Sequence, residues 1–225
     1  MGGFFMRDLS RRIFEVFPTL LGRFELNDQP VFNEIQQEIK DYIDNKVKFK
    51  YRDDWGKTHK ISTSPINNEE NWEVKDSIFN NAPKLANIIT QEVKSYIQFV
   101  NPECDTSRLH CNESWLTQFN KDDFAHTHNH PSCDIAVVYY YQLPIEKSYK
   151  SGDFYIECPS LAKAGSFDSS HTNRIYVGQY AGPSAESIKT GTLLIFPAYL
   201  PHGVTRVTED NTRISLSCNF KLTPA

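Results

Sequence analysis

Three of the seven histidines stand at alternate positions in FAHTHNHPSCD: His126, His128 and His130. On an extended backbone, residues i and i+2 project from the same face. Two imidazoles of an H-x-H pair can therefore hold one metal ion from neighbouring positions of a strand. A third ligand must come from a distant strand brought alongside. His202, in FPAYLPHGV, follows an apolar run and precedes Gly203, which makes it the natural third donor. The competing account of a lone H-x-H is a solvent-facing strand or loop. Here the run leads directly into a strongly apolar segment and a second histidine ends another, which favours chelation. Imidazole suits zinc, copper, iron and nickel alike, so the donor type does not name the metal.

A second constellation follows His202. Arg213 and Ser215 share one face of the predicted strand TRISLS. A guanidinium fork pairs with both oxygens of a carboxylate. Taken alone, Arg213 could equally be a surface ion pair. Beside a metal, it completes what an α-keto diacid needs. The keto oxygen and C1 carboxylate of such a molecule can chelate the ion, while its distal carboxylate requires a cation.

Two kinds of element must position these residues. In the first half, Phe32, Ile35, Ile39 and Tyr42 or Ile43 recur at helical steps, with Asp28 as an expected cap and Pro30 in the first turn. A second helix is expected to begin near Pro83, with Leu85, Ile88, Ile89, Val93, Ile97 and Val100 as its apolar stripe. The polar stretch between, Lys46 to Glu73, reads as loop with short strands. The second half changes period. Ser114–Asn120, Ile135–Leu143, Gly152–Cys158, Gly191–Phe196 and Thr212–Leu222 read as short strands bounded by turn signals. Strands without intervening helices suggest an antiparallel sandwich or barrel, supported here by an N-terminal helical layer. Within Tyr139–Tyr141, alternation gives Tyr140 the parity of His128 and His130, so it should point inward. Tyr139 and Tyr141 should face the outer layer.

Composition bounds the rest. The chain has 225 residues, 39% hydrophobic, 23% charged and 13% aromatic, which suits one soluble globular domain rather than disorder. A net charge of −4 with no basic stripe argues against nucleic acid and anionic membranes. No run approaches the roughly 18 apolar residues a membrane helix needs. The opening MGGFFMRDLSRRIF lacks a long apolar stretch and a cleavage site, so it is not read as a signal peptide. The five cysteines are odd in number, irregularly spaced and contain no C-x-x-C. They read as reduced thiols of a cytoplasmic protein.

The pattern H-x-H-P, a tyrosine-rich strand, G-x-F around Gly152 and Phe154, L-L-I-F-P-x-x-L-x-H-x-V, then R-I-S-x-S-x-N-F resembles the Fe(II)/2-oxoglutarate-dependent dioxygenases. It is most similar to a subgroup of 2OG-Fe(II) oxygenases of bacteria and phages, related to the prolyl 4-hydroxylase-like branch. The likeness covers roughly Ser114–Phe220, and the opening FPTLLGRFEL is also similar. It implies an α+β, mainly β fold with a double-stranded β-helix (jelly-roll, cupin-like) core and supporting N-terminal helices. The expected division of one domain, 1–225, is a helical and loop layer over 1–112 and the core over 113–222. The resemblance implies Fe(II) held by His128, His130 and His202. It also implies 2-oxoglutarate held by Arg213, Ser215 and Tyr140, with O2 as oxidant.

The implied reaction is hydroxylation of a substrate C–H bond with release of succinate and CO2. The substrate would be a small molecule or a peptide; the oligomeric state is open, a homodimer included. The usual facial triad has a carboxylate where His130 stands. His126 with His128, or Asp134 as carboxylate, are the alternative completions. Ala136–Val137 also departs from the subgroup's Ser-Gly. Pocket walls are expected from Asn112–Phe124, Tyr149–Tyr155 and Pro159–Lys189. The rival reading is a non-oxidative, cupin-like metal-binding protein or isomerase using zinc or nickel without a keto acid.

Overall fold

The alternating segments of the second half build two antiparallel sheets that face each other. The structure is a computed structural model describing residues 19–51, 62–63, 77–144, 151–157, 174–176, 188–210 and 212–223. Its strands are β1 (Gly22–Glu25), β2 (Lys50–Tyr51), β3 (Ser62–Thr63), β4 (Leu109–Phe119), β5 (Ala125–His128), β6 (Ile135–Gln142), β7 (Phe154–Glu157), β8 (Arg174–Tyr176), β9 (Thr192–Pro197), β10 (His202–Val204) and β11 (Arg213–Leu222). Its helices are α1 (Phe32–Lys46), α2 (Ile78–Asn81) and α3 (Pro83–Val100). The larger sheet has the order β1-β9-β6-β11-β4-β3-β2 and the smaller β5-β10-β7-β8. From β4 to β11 the chain crosses repeatedly from one sheet to the other, with β7 and β8 together in the smaller. That crossing makes the core a double-stranded β-helix.

Side-chain parity sorts the larger sheet into two faces. Val137 and Tyr139 of β6, Leu193 and Ile195 of β9, and Leu216, Cys218 and Phe220 of β11 pack on the helices. Ala136, Val138, Tyr140, Leu194 and Phe196 fill the space between the sheets. The tyrosine run divides as its alternation requires. Tyr140 is inside, Tyr141 packs on the helical cluster, and the Tyr139 hydroxyl accepts from Gln36 Nε2 of α1 at 3.0 Å.

The helices contribute burial and no chemistry. Ile35, Ile39 and Tyr42 of α1 are buried, as are Leu85, Ile89, Val93 and Tyr96 of α3. Ile88 and Ile97 pack at the margin of this core, whereas Val100 is exposed. Pro83 occupies the first turn of α3, where its missing N–H costs nothing. Asp28 does not cap α1: the helix begins four residues later, and Gln29 instead donates its N–H to Leu26 O in a tight turn. Ile39→Ala should cost about 2–5 kcal/mol, since Ile39 is fully buried between helix and sheet. Urea denaturation followed by circular dichroism should show the lower midpoint.

The expected strands are all present, with β4 starting five residues earlier than its alternation suggested. Most of the Lys46–Glu73 stretch and of Pro159–Lys189 lies outside the described residues, as does the opening segment to residue 18.

Candidate active site

His128 ends β5, and His202 opens β10 directly opposite it in the antiparallel register. Three residues of β10, from His202 to Val204, are matched by four of β5, from His128 to Ala125. The extra residue is a β-bulge, which lets Ala125 and His128 both face the interior. It also breaks the alternation that would have put His126 beside His128. His126 is exposed, its ring edge-on to Phe124 at 4.9 Å. His130 lies just past the strand and is fastened by its backbone N–H to Ala198 O at 2.9 Å. Asp134 is turned away as well. Its Oδ2 accepts from Leu222 N at 2.7 Å at the far end of β11.

The structure brings His128, His130 and His202 together. One ligating nitrogen from each lies within 4.8 Å of the others. Ring centroids are 4.5 Å apart for His128–His202 and 5.2 Å for each pair with His130. Nδ1 of His128 bonds to His126 O and Nδ1 of His202 to Leu200 O, both at 2.8 Å. A carbonyl can only accept, so each Nδ1 carries the proton and each Nε2 keeps its lone pair. Burial pulls the pKa of His202 down to about 3 and of His130 to about 4, and lowers that of His128. The three rings are therefore neutral near pH 7, the state a metal ligand requires. An ion with bonds of about 2.1 Å spans up to about 4.2 Å between opposed donors, so small ring rotations suffice to close the set.

The other half of the site hangs from β11. One face of this strand is apolar and packs on the helices. The other carries Arg213, Ser215, Ser217 and Asn219, all lining the cleft between the sheets. Arg213 is 3% exposed, with its Cζ 4.9 Å from the Phe119 ring and 5.1 Å from the Tyr140 ring. Burial lowers its pKa, opposed by Tyr140 and Asp153. Burial likewise pushes Tyr140 up to about 12, so its hydroxyl keeps its proton. Arg213 Nε and Nη1 and the Tyr140 hydroxyl are buried with no well-aligned hydrogen-bond partner among the described residues, although guanidinium and phenol lie close enough to interact with each other. Ser215 pairs with Tyr140 on β6 and with Thr117 on β4, so it stands on the same rung.

Orphaned buried donors are expensive, and a buried cation more so. Their convergence fits a bound anion with hydrogen-bond-accepting oxygens. Gly152 packs beside the stem of Arg213. At φ +60 it adopts a backbone suited to glycine, and a Cβ there would stand 3.2 Å from Val207 Cγ2 and 3.9 Å from Arg213 Cδ.

Imidazoles and guanidinium line one cleft of about 530 Å³, its open mouth included. Trp115, Thr117 and Phe119 of β4 line it from the first of the expected wall segments, and Phe154 from the second. The third segment lies almost wholly outside the described residues. Ser217 and Asn219 stand in the R-I-S-x-S-x-N-F pattern but were given no role from sequence, although they continue the parity of Arg213 and Ser215.

Comparison with known proteins agrees with this geometry. Residues 113–219 match a family profile described as "Putative 2OG-Fe(II) oxygenase". No curated protein matches the sequence. Among solved structures, the chain is similar to HygX from Streptomyces hygroscopicus, solved with nickel and 2-oxoglutarate bound. The identity is 11% and the TM-score 0.56, over 91% of this chain and 84% of that one. It is similar to a prolyl-4-hydroxylase from Pseudomonas putida at 13% identity and TM-score 0.52, over 92% and 94% of the chains. It is also similar to a viral collagen prolyl hydroxylase from Paramecium Bursaria Chlorella virus-1, at 9% identity and TM-score 0.52, over 90% and 96%. At these identities the structural likeness speaks for the fold. Residues 113–219, from β4 into β11, thus resemble the 2OG-Fe(II) oxygenases in their sequence profile, and the structural likeness shows that the chain shares the fold of these proteins.

Proposed function

We propose that the protein is an Fe(II)- and 2-oxoglutarate-dependent oxygenase that hydroxylates a C–H bond of a small-molecule or peptide substrate. The observation that carries this reading is the convergence in one cleft of three neutral imidazoles with the buried donors of Arg213 and Tyr140. His128 and His202 would hold the iron through Nε2, with His130 as the third imidazole. Arg213, with Ser215 and Tyr140, would grip the distal carboxylate of 2-oxoglutarate and so aim its keto end at the histidines. When bound, iron and co-substrate supply the oxidising power, consuming O2 and releasing succinate and CO2.

The chain's own residues do the rest by geometry. Phe154 and Phe196 lie against the His202 ring at 5.6 and 4.9 Å and keep water from that side. Tyr140 presents a protonated hydroxyl to the anion. Asn219, nearer the other end of β11, is held by its Nδ2 donating to Glu113 Oε1 at 2.8 Å. With the histidines neutral, Arg213 is the one charged residue among the described lining residues. With that cation assigned to the diacid, the remaining wall of Trp115, Thr117, Ser217 and Asn219 suits an uncharged, hydrogen-bonding part of the substrate.

The test is succinate formation from 2-oxoglutarate by protein reconstituted with Fe(II) in air. Succinate that depends on both iron and protein supports the reading; its absence with metal bound removes it. A second reading has one specific observation behind it: the donor set has no carboxylate, and three imidazoles also suit zinc or nickel. It predicts tight zinc or nickel and no response to 2-oxoglutarate.

A further inference from the structure

The bulge in β5 raises a mechanical question. It aims His128 inward, but it also interrupts the ladder that should fix β5 against β10. Thr127, one residue before His128, points to the other face of the sheet. There its Oγ1 lies 3.0 Å from the Tyr155 hydroxyl of β7 and donates to Glu157 Oε1 at 2.8 Å. A threonine hydroxyl has one proton, and the carboxylate can only accept. The phenol is therefore the donor to Thr127, and the chain of bonds runs from Tyr155 to Thr127 to Glu157.

To make that bond Tyr155 must cross the strand between. β10 lies between β7 and β5, and Tyr155 is paired with Gly203, one residue after His202. A Cβ on Gly203 would stand 2.4 Å from the Tyr155 oxygen and 2.6 Å from its Cζ. The phenol thus passes over the position that only glycine leaves open. Two residues it meets, Thr127 and Gly203, are the immediate chain neighbours of two candidate ligands. Tyr155 is itself buried, and its bond ends on a carboxylate, which strengthens the relay.

We propose that Tyr155, acting through Thr127 and Glu157, is a positioning residue that sets the spacing of His128 and His202 across the bulge. This rests on the reading of His128, His130 and His202 as metal ligands. The strap replaces the missing ladder bonds with side-chain bonds on the face away from the cleft, so it touches neither metal nor substrate.

The probe is Co(II) alone, titrated into the full chain and followed by its visible absorption. Tyr155→Phe keeps the ring over Gly203 and removes one oxygen. It should weaken Co(II) binding about tenfold, the low end of the range for removing a direct partner of a metal-ligating histidine because Tyr155 acts from one residue away, and alter the band shape. Thr127→Val should do the same, and Thr127→Ser should restore the wild-type spectrum. Unchanged affinity and band shape in Tyr155→Phe and Thr127→Val would overturn the proposal. Should Tyr155→Phe not fold, the Thr127→Val and Thr127→Ser pair decides alone. Failure of the wild type to bind Co(II), or equal binding by His202→Ala, would instead strike the metal-site reading on which the proposal stands.

Discussion

Replacing Arg213 with methionine is expected to weaken 2-oxoglutarate binding by two to three orders of magnitude while leaving the fold intact. The magnitude follows from burial. Removing one partner of a buried ion pair costs about 3–5 kcal/mol, because the other charge is left unpaired in low dielectric. Methionine keeps the contact with the rings of Phe119 and Tyr140, so little cavity opens. Without ligand, Arg213 is a buried cation whose Nε and Nη1 have no well-aligned partner, which is a stability cost borne for binding. The variant should therefore melt at the wild-type temperature or above it, yet gain no melting temperature from 2-oxoglutarate. Calorimetric titration of metal-loaded protein checks the binding, and a thermal melt checks the fold. A large loss of melting temperature with binding retained would mean that Arg213 is structural.

His202→Ala should abolish stoichiometric binding of a divalent transition metal. Four-ligand zinc sites contribute about 10–16 kcal/mol, so one ligand is worth roughly 3 kcal/mol, a hundredfold or more. His202 is also the ring packed centrally, with His128, His130, Phe154 and Phe196 all within 5.6 Å between centroids. His126→Ala is the matched control, since His126 is exposed and outside the cluster. Metal content after dialysis should be lost in the first variant and retained in the second. Equal loss in both would contradict the assignment of ligands.

How much of this was legible in sequence depends on how far each signal is local. The polar and apolar faces of β11 follow from strict alternation, and the same parity separates Tyr140 from Tyr139 and Tyr141. The apolar stripes of α1 and α3 follow from helical periodicity. What alternation could not give is the bulge. From parity alone His126, His128 and His130 are equivalent, and only the extra residue between Ala125 and His128 turns His126 outward. The strand β1 was also hidden. Its sequence, GRFE, has no repeating pattern of its own and is strand because β9 offers it an edge, from Gly22 opposite Ile195 to Glu25 opposite Thr192. Asp28 was misread for a related reason. A good capping residue does not fix a helix start when tertiary packing places the first buried position at Ile35.

The central claim is that β11 anchors one end of a diacid while three histidines receive the other. The measurement that bears on it most directly compares 2-oxoglutarate with 2-oxopentanoate, which has the same keto-acid end and no distal carboxylate. Each is titrated into metal-loaded wild type and into Arg213→Met. Wild type should prefer 2-oxoglutarate by at least about a hundredfold, as a buried charged pair requires, and Arg213→Met should bind both with similar weak affinity. An equal preference for the diacid in both proteins, or no binding of 2-oxoglutarate by metal-loaded wild type, would contradict the account.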